Sequence, residues 1–219
     1  MIGLVFATIH EARPFLLTAQ AQVVDSRPFA VYHSGLHAGM RVVVSGMGKV
    51  AAAAAAQALI LTGNVTRLIN AGACGALCDN NDLAIGNLVR ISEAIEGDHE
   101  IFGKRLPPVT CSPQEFGDLP AMRLVTSDRP VFDSQIRAAF SQWGDVVDME
   151  GAAIARVARY YQVPCTLIKG VTDNAQAYER RKLLENLTTV SEKIARTLWD
   201  ALQSGADVPA QIHKRTDIG

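Results

Sequence analysis

Acidic residues beside two predicted element boundaries are the part of this 219-residue chain best suited to chemistry. Asp148 and Glu150 flank Met149 at the start of an Ala-rich segment that is predicted to be a helix. Asp173 follows an apolar run, residues 165–168. A carboxylate can accept hydrogen bonds from both hydroxyls of a vicinal diol, and a partly desolvated second carboxylate can hold a proton near neutral pH. The pattern therefore predicts a pocket that binds hydroxyl groups and moves protons, although Asp173 alone also suits a helix N-cap.

A third acidic residue, Glu11, comes just after the first predicted strand, residues 2–6. A carboxylate at the carboxyl end of a strand is well placed for acid–base catalysis. Taken alone, Glu11 is better interpreted as a helix-start glutamate that the helix dipole stabilises. Both interpretations place its carboxylate near the end of that strand.

Two glycine-containing segments could bring backbone close to a ligand. Residues 45–50 (SGMGKV) run from a predicted strand into a predicted helix, and residues 70–77 (NAGACGAL) follow another strand. Glycine permits close approach of a ligand at a helix N-terminus. The first segment has neither P-loop spacing nor the third glycine of the dinucleotide fingerprint. Each segment is as readily interpreted as a packing turn as a ligand loop.

The elements that must position these residues alternate between β-rich and Ala-rich runs. Strands are predicted at residues 2–6, 29–33, 41–45, 67–71, 87–95, 122–126 and 164–171, and helices at 49–61, 133–143, 150–161 and 183–202. Residues 72–77 are predicted to be a tight loop. This alternation is typical of an α/β fold with three α/β/α layers around a mixed, mostly parallel central sheet. We expect one domain over residues 1–203 and a polar, loose tail over 204–219.

The composition excludes several classes of protein. The formal net charge of −1 argues against a nucleic-acid-binding surface, and no apolar run approaches the ~20 residues of a membrane span. The four cysteines show no metal-binding pairing: Cys74, Cys78, Cys111 and Cys165. A reduced, cytoplasmic protein without a metal site is therefore expected.

Four segments together resemble the nucleoside phosphorylase/nucleosidase superfamily. Residues 45–53 (SGMGKVAAA), 70–77 (NAGACGAL), 147–155 (VDMEGAAIA) and 169–175 (KGVTDNA) occur in the order and spacing of that superfamily. The resemblance covers roughly residues 1–200 and is greatest to its 5′-methylthioadenosine/S-adenosylhomocysteine nucleosidase branch. It implies a nucleoside phosphorylase-like fold and an N-ribosyl hydrolase that cleaves a purine nucleoside without a metal or other cofactor.

The resemblance also implies roles for individual residues. Glu11 matches the residue that activates the attacking water, and Asp173 matches the general acid that protonates purine N7. Glu150 matches the residue that binds the ribose hydroxyls, and Met149 matches the residue that packs on the ribose. Carboxylates near the ribose would stabilise an oxocarbenium-like transition state. Further residues expected to contact the substrate are Gly48, Ala73, Gly75, Ser127, Asp128 and Lys169.

Three departures from the family pattern leave the substrate open. The nucleosidase branch usually has serine where Ala73 stands and arginine where Lys169 stands, and these two cations are not equivalent. The base-stacking aromatic residue expected after Asp128 is replaced by residues 129–131 (RPV), with Phe132 displaced. A futalosine hydrolase, which acts on an inosine-like nucleoside, would fit such a remodelled base pocket.

Phosphorolysis is the main alternative to hydrolysis. Asn70 and Ala73 stand where phosphorylases of the superfamily carry the arginine and serine that hold phosphate, so water is the favoured nucleophile. Arg13 or Lys49 could still supply positive charge. A third alternative is a nucleoside-binding protein without catalysis, although Glu11, Glu150 and Asp173 are all present.

The superfamily commonly forms dimers or hexamers in which a neighbouring subunit closes the sugar site. A homo-oligomer is therefore the expected macromolecular partner. His99 or Phe102 could contribute to a shared 5′ pocket, although a solvated loop is at least as good an interpretation of that segment.

Overall fold

The computed structural model describes residues 1–114, 116–176 and 178–204. Most of the predicted polar tail, residues 205–219, lies outside the described residues. Twelve strands are described: β1 (Ile2–Phe6), β2 (Ala21–Asp25), β3 (Ala30–Ser34), β4 (Met40–Val44), β5 (Arg67–Ala76), β6 (Leu88–Glu96), β7 (Glu100–Ile101), β8 (Lys104–Arg105), β9 (Val109–Thr110), β10 (Ala121–Thr126), β11 (Val146–Asp148) and β12 (Cys165–Asp173). The helices are α1 (Ile9–Thr18), α2 (Lys49–Gly63), α3 (Ser134–Phe140), α4 (Gly151–Tyr160) and α5 (Arg180–Ser204).

The main sheet has the strand order β11-β10-β6-β12-β5-β1-β4-β3-β2, with β9 paired to β6. Its central ladders, β4 to β1, β1 to β5 and β5 to β12, are parallel, as are β6 to β10 and β10 to β11. The antiparallel pairings include the β2–β3–β4 edge and the contact of β12 with β6. Because β11 also pairs with β5, the strands at that end of the sheet close on themselves. The prediction of a mixed, mostly parallel sheet is confirmed.

Helices cover both faces of the sheet. Side chains alternate along β5, so that Leu68 packs in the core beneath α2 and α4 and Ile69 packs in the core beneath α1 and α5. The small alanines of α2 allow that helix to approach the sheet closely, with Ala52, Ala55 and Ala56 fully buried. The three-layer α/β/α architecture is therefore confirmed.

The largest difference from the sequence-based prediction lies at residues 72–76. They were expected to form a loop, but β5 continues through them and pairs with β12 and β11. Glycine and alanine are poor strand formers in isolation, so the neighbouring strands determine this conformation. A Cβ atom on Gly72 would lie 2.8 Å from Glu11 Oε1, and one on Gly75 would lie 2.8 Å from Asp173 Oδ1. The glycines therefore leave room for two carboxylates.

Smaller differences concern the ends of elements near those carboxylates. Strand β12 extends two residues beyond its predicted end and includes Asp173, which is therefore not the N-cap of a helix. Glu150 is the N-cap of α4 rather than its first helical residue. The segment before it, Val146–Asp148, is a strand that was not predicted. Helix α1 and strand β2 were also missed.

Candidate active site

Strand β5 brings together carboxylates from distant parts of the chain. Glu11 lies against Gly72 and Ala73, while Asp173 lies against Gly75. A strand rises about 3.3 Å per residue, so the backbone positions that the two carboxylates contact are roughly 7–10 Å apart along β5.

Glu11 is fixed by both of its carboxylate oxygens. The Thr8 backbone N–H and hydroxyl each donate to Oε2 at 2.9 Å, and the Ala73 N–H donates to Oε1 at 3.0 Å. Thr8 also accepts from the Glu11 N–H at 3.3 Å, which completes a capping box at the start of α1. The helix-start interpretation and the placement near the strand end therefore both describe Glu11. Its buried side chain is aimed at β5.

Glu150 connects the start of α4 to the start of α2. Its Oε1 accepts a hydrogen bond from the Gly48 N–H at 2.7 Å. Gly48 has φ of +94°, a conformation that L side chains rarely adopt, so glycine is needed for this contact. Burial and the nearby Asp148 carboxylate raise the pKa of Glu150 to about 7, while Lys169 and the Gly48 N–H oppose the increase. Glu150 can therefore change its charge near neutral pH.

Asp148 and Lys169 form a buried ion pair beside Glu150. Lys169 Nζ lies 2.7 Å from Asp148 Oδ2, and Lys169 is only 1% exposed. Asp148 also accepts hydrogen bonds from the Gly151 N–H at 2.8 Å and the Thr126 hydroxyl at 2.6 Å. Burial alone would lower the pKa of Lys169, but the carboxylates of Asp148, Glu150 and Glu11 together raise it. Lys169 therefore carries its charge inside the fold.

The sequence analysis included Asp148 in the acidic pattern but did not identify it as the partner of Lys169, and it did not assign Thr126 to the site. A lysine within the predicted apolar strand 164–171 was the available signal, because a buried cation requires a buried acidic partner. The partner could be identified only once β10, β11 and β12 were placed side by side. The structure places Lys169 beneath the predicted sugar-binding residues, and its contact with a substrate stays a prediction.

Asp173 is held by hydrogen bonds from its own segment. The Ala175 N–H donates to Oδ1 at 2.8 Å, and the Thr172 hydroxyl donates to Oδ2 at 2.9 Å. Burial raises the pKa of Asp173 above its usual value, although these two hydrogen bonds act in the opposite direction. A carboxyl group with a raised pKa is suited to holding and delivering a proton.

A cavity of about 210 Å³ reaches Asp173 and is lined by Phe132, Asn174 and the first turn of α5. The ring of Phe132 packs on that of Tyr178, with centroids 4.9 Å apart. Val131 instead packs in a buried cluster. Phe132 is therefore the aromatic residue of the 129–132 segment that lies beside Asp173. A second, more open cavity of about 700 Å³ shares Asn174 as a lining residue.

Ser127 and Asp128 take part in a charged cluster around Lys49. The Ser127 hydroxyl and the Asp128 N–H donate to Asp98 Oδ2 at 3.3 and 2.7 Å. Lys49 Nζ lies 2.7 Å from Asp98, 3.3 Å from Glu96 and 3.3 Å from Asp128. The positive charge of Lys49 is therefore already matched by carboxylates.

The remaining predicted residues differ in their exposure to water. Met149 is half-buried between Asp148 and Glu150, and Ala73 is half-buried on β5 beside Glu11. Arg13 is exposed on α1. Within the described residues, no group of three or more His, Cys, Asp or Glu side chains is arranged to hold a metal ion. In the same part of the chain, each helix is too short or too polar to cross a bilayer.

Comparison with known proteins relates the chain to one described family. Residues 2–123 and 117–203 match the family described as the phosphorylase superfamily. A 5′-methylthioadenosine/S-adenosylhomocysteine nucleosidase from Shewanella denitrificans is 32% identical over 169 residues, which cover 65% of this chain and 72% of that protein.

Solved structures share the fold at lower identity. A futalosine hydrolase mutant from Helicobacter pylori superposes with a TM-score of 0.83 at 18% identity, covering 93% of this chain and 98% of the other. A 5′-methylthioadenosine/S-adenosylhomocysteine nucleosidase mutant from Helicobacter pylori, with 5′-methylthioadenosine in its active site, gives a TM-score of 0.84 at 19% identity, with the same coverage.

Proposed function

This chain belongs to the phosphorylase superfamily, and from that premise we propose that it is an N-ribosyl hydrolase that cleaves the glycosidic bond of a purine nucleoside. The observation that carries the proposal is the placement of Glu11 and Asp173 on the bare glycine backbone of β5, at Gly72 and Gly75. The proposal assigns Glu11 to the sugar side of the reacting bond and Asp173 to the base side.

On the sugar side, Glu11 is the proposed general base. Its two oxygens are held by Thr8 and Ala73, so the carboxylate cannot rotate away from β5. It would take a proton from a water molecule as that water attacks C1′ of the ribose. Because the transition state carries positive charge on the ribosyl ring, the carboxylates of Glu11 and Glu150 would also stabilise it.

On the base side, Asp173 is the proposed general acid. Its raised pKa favours a protonated carboxyl group, which would donate its proton to purine N7 as the C1′–N9 bond breaks. The electron pair of that bond then leaves with a neutral purine. Glu150 would accept hydrogen bonds from the ribose hydroxyls, and Met149 would pack on the sugar ring.

Hydrolysis is favoured over phosphorolysis by the cations near the cleft. Lys49 is surrounded by three carboxylates, and Lys169 is paired with Asp148. The Asn70 amide donates to the Val5 carbonyl at 3.1 Å and is buried. A phosphate ion would therefore compete with existing partners for each of these groups.

The proposed substrate class is a purine nucleoside with a modified 5′ end. The names of the curated relatives favour methylthioadenosine or adenosylhomocysteine. Phe132 lines the cavity at Asp173 and Tyr178 packs on its ring, an aromatic arrangement that does not follow the usual family pattern. A futalosine hydrolase is therefore the second candidate, and it is compatible with the fold of the Helicobacter pylori enzyme.

A homo-oligomer, dimer or hexamer, remains part of the proposal. The hairpin of β7 and β8 carries Phe102, which is 100% exposed and has φ of +52°. Phe102 is the residue that one subunit is proposed to contribute to the 5′ pocket of another.

The proposal is tested by measuring base release from methylthioadenosine, adenosylhomocysteine, adenosine, inosine and futalosine, each with and without phosphate. Phosphate-independent release is expected, and the preferred nucleoside would identify the branch. Release that requires phosphate would make the protein a phosphorylase. Binding of these nucleosides without release would contradict catalysis and favour a nucleoside-binding protein.

A further inference from the structure

We infer that the Asp148–Lys169 ion pair is a positioning element that acts through Glu150, with each member controlling the charge of Glu150 in the opposite sense. This inference rests on the proposed function for its kinetic consequence, but the charge relationship itself can be measured without turnover. It assigns a role to Asp148 that the family resemblance did not supply.

The ion pair is built into the junction of three elements. Asp148 ends β11 and accepts hydrogen bonds from Thr126 at the end of β10, from Gly151 in the first turn of α4 and from Lys169 on β12. Removing one partner of a buried pair leaves an uncompensated charge. These contacts fix the Asp148 carboxylate two residues before Glu150. They also fix the Lys169 ammonium group, on β12, against that carboxylate.

The local charges do not balance. Lys169 is the cation that interacts with three buried carboxylates, those of Asp148, Glu150 and Glu11. The groups that act on Glu150 come from every neighbouring element: Asp148 from β11, Lys169 from β12, Glu11 from α1 and the Gly48 N–H at the start of α2. Asp148 and Glu11 favour the neutral form of Glu150, whereas Lys169 and the N–H favour its ionised form.

The consequence for catalysis follows from the role proposed for Glu150. An ionised carboxylate accepts hydrogen bonds from both ribose hydroxyls and opposes the positive charge of the transition state, whereas a neutral carboxyl does neither as well. Lys169 thus maintains the useful form of Glu150, and Asp148 both holds Lys169 in place and limits its effect.

The kinetic test compares the pH dependence of kcat/KM on the preferred nucleoside for Lys169→Met, Asp148→Asn and the double variant. The acidic limb should move to higher pH in K169M and to lower pH in D148N, by about one unit or more in each case. The double variant should lie between the two. K169R should keep the acidic limb at the pH of the parent, because arginine keeps the positive charge.

A direct titration makes the result independent of turnover. The Glu150 carboxyl carbon is followed by NMR in 13C-glutamate-labelled protein and is assigned by its loss in Glu150→Gln. Its titration midpoint should move in opposite directions in K169M and D148N. Lys193→Met is the matched control. Lys193, on α5, donates a hydrogen bond to the Gly86 carbonyl at 2.7 Å, so its substitution should leave the Glu150 midpoint unchanged.

Opposite shifts of the Glu150 midpoint support the inference even if no nucleoside is cleaved, in which case only the proposed function fails. Shifts of the midpoint in the same direction, or no shift in both variants, would overturn the inference. An ion pair with a purely structural role would destabilise the fold but would not move the Glu150 midpoint in opposite directions. Thermal unfolding checks that each variant is folded, and Lys169→Gln, which also removes the charge, replaces K169M if that variant does not fold.

Discussion

The two ends of the glycine segment of β5 control their carboxyl groups by different means. At the sugar end, defined by Glu11, Asp148, Glu150 and Lys169, burial raises the pKa of Glu150 and charged neighbours shift it further in opposite directions. At the acid end, defined by Asp173 and its hydrogen-bond donors, burial alone raises the pKa of the carboxyl group. Burial is therefore the largest cause at both ends, but only Glu150 also responds to the charges of neighbouring side chains.

This difference suits the two chemical tasks. A group that binds hydroxyls and opposes positive charge works as an anion, and a nearby ammonium group favours that form. A general acid must keep its proton until the bond breaks, and desolvation without a paired cation favours the neutral form. The comparison therefore predicts that substitutions at the two ends will have separable signatures.

The largest effect is expected for Asp173→Asn. A carboxamide keeps the shape of the side chain and can accept the Ala175 N–H, but it cannot donate the proton that purine N7 requires. Base release should fall by about 10²–10⁴-fold, the usual contribution of a general acid. Single-turnover measurements on the preferred nucleoside would detect this change.

Asp82→Asn, at an exposed position of the short 3-10 helix Asn81–Leu83, is a matched control that should retain full activity. Near-normal base release by D173N would remove Asp173 from the acid role and with it the distinction between the two ends.

Glu11→Gln should have the next largest effect. Glutamine can still complete the capping box with Thr8, so α1 should remain folded while the general base is lost. The rate of hydrolysis should fall by about 10²-fold or more. Circular dichroism would establish that the fold is intact, and normal turnover by E11Q would show that another group activates the water.

Glu150→Gln should produce a smaller loss that appears in both KM and kcat. Hydrogen bonds from the ribose hydroxyls to a neutral amide are weaker than those to a carboxylate, which corresponds to roughly a tenfold to hundredfold loss in kcat/KM. Steady-state kinetics on nucleosides that keep or lack the 2′-hydroxyl would separate this contribution, since E150Q should discriminate between them less than the parent does.

The same substitution should change how stability depends on pH. The pKa of Glu150 is raised from 4.5 when unfolded to about 7 when folded, so the folded state binds the proton more tightly. Its contribution to stability is therefore full below pH 4.5 and is lost as pH rises through 7, by roughly 3 kcal/mol. Relative to the parent, E150Q should gain stability between pH 5 and pH 8 in urea unfolding. If the difference in unfolding free energy between E150Q and the parent stayed constant across that range, the pKa of Glu150 would not be raised to about 7.

The sequence predicted the helices and central strands better than the ends of the strands and their pairing. Ala-rich and β-branched runs located α2, α4 and most of the central strands because their packing follows from composition and periodicity. The end of β5 was predicted as a loop, since residues 72–76 adopt a strand only when β11 and β12 pair with them.

The site divides in the same way. Glu11, Glu150 and Asp173 could be selected from their places at element ends and from the family resemblance. The partner of Lys169 could not, because Asp148 lies on another strand 21 positions earlier, and only the assembled sheet brings them to 2.7 Å. The Thr8 to Glu11 spacing did carry a capping-box signal that would have located α1.

Lys49→Met should have the smallest effect. It extends the comparison to a lysine whose carboxylate partners are more exposed to solvent than those of Lys169. Like Lys169, Lys49 faces three carboxylates, but the Asp128 side chain in its cluster is 55% exposed to water. Water screens such charges, so the loss of stability should be about 1 kcal/mol or less. Neither K49M nor the parent should respond to phosphate, because Lys49 is already neutralised. Phosphate stimulation of the parent that K49M abolishes would instead identify Lys49 as an anion-binding residue, and the preference for water over phosphate would then have to be abandoned.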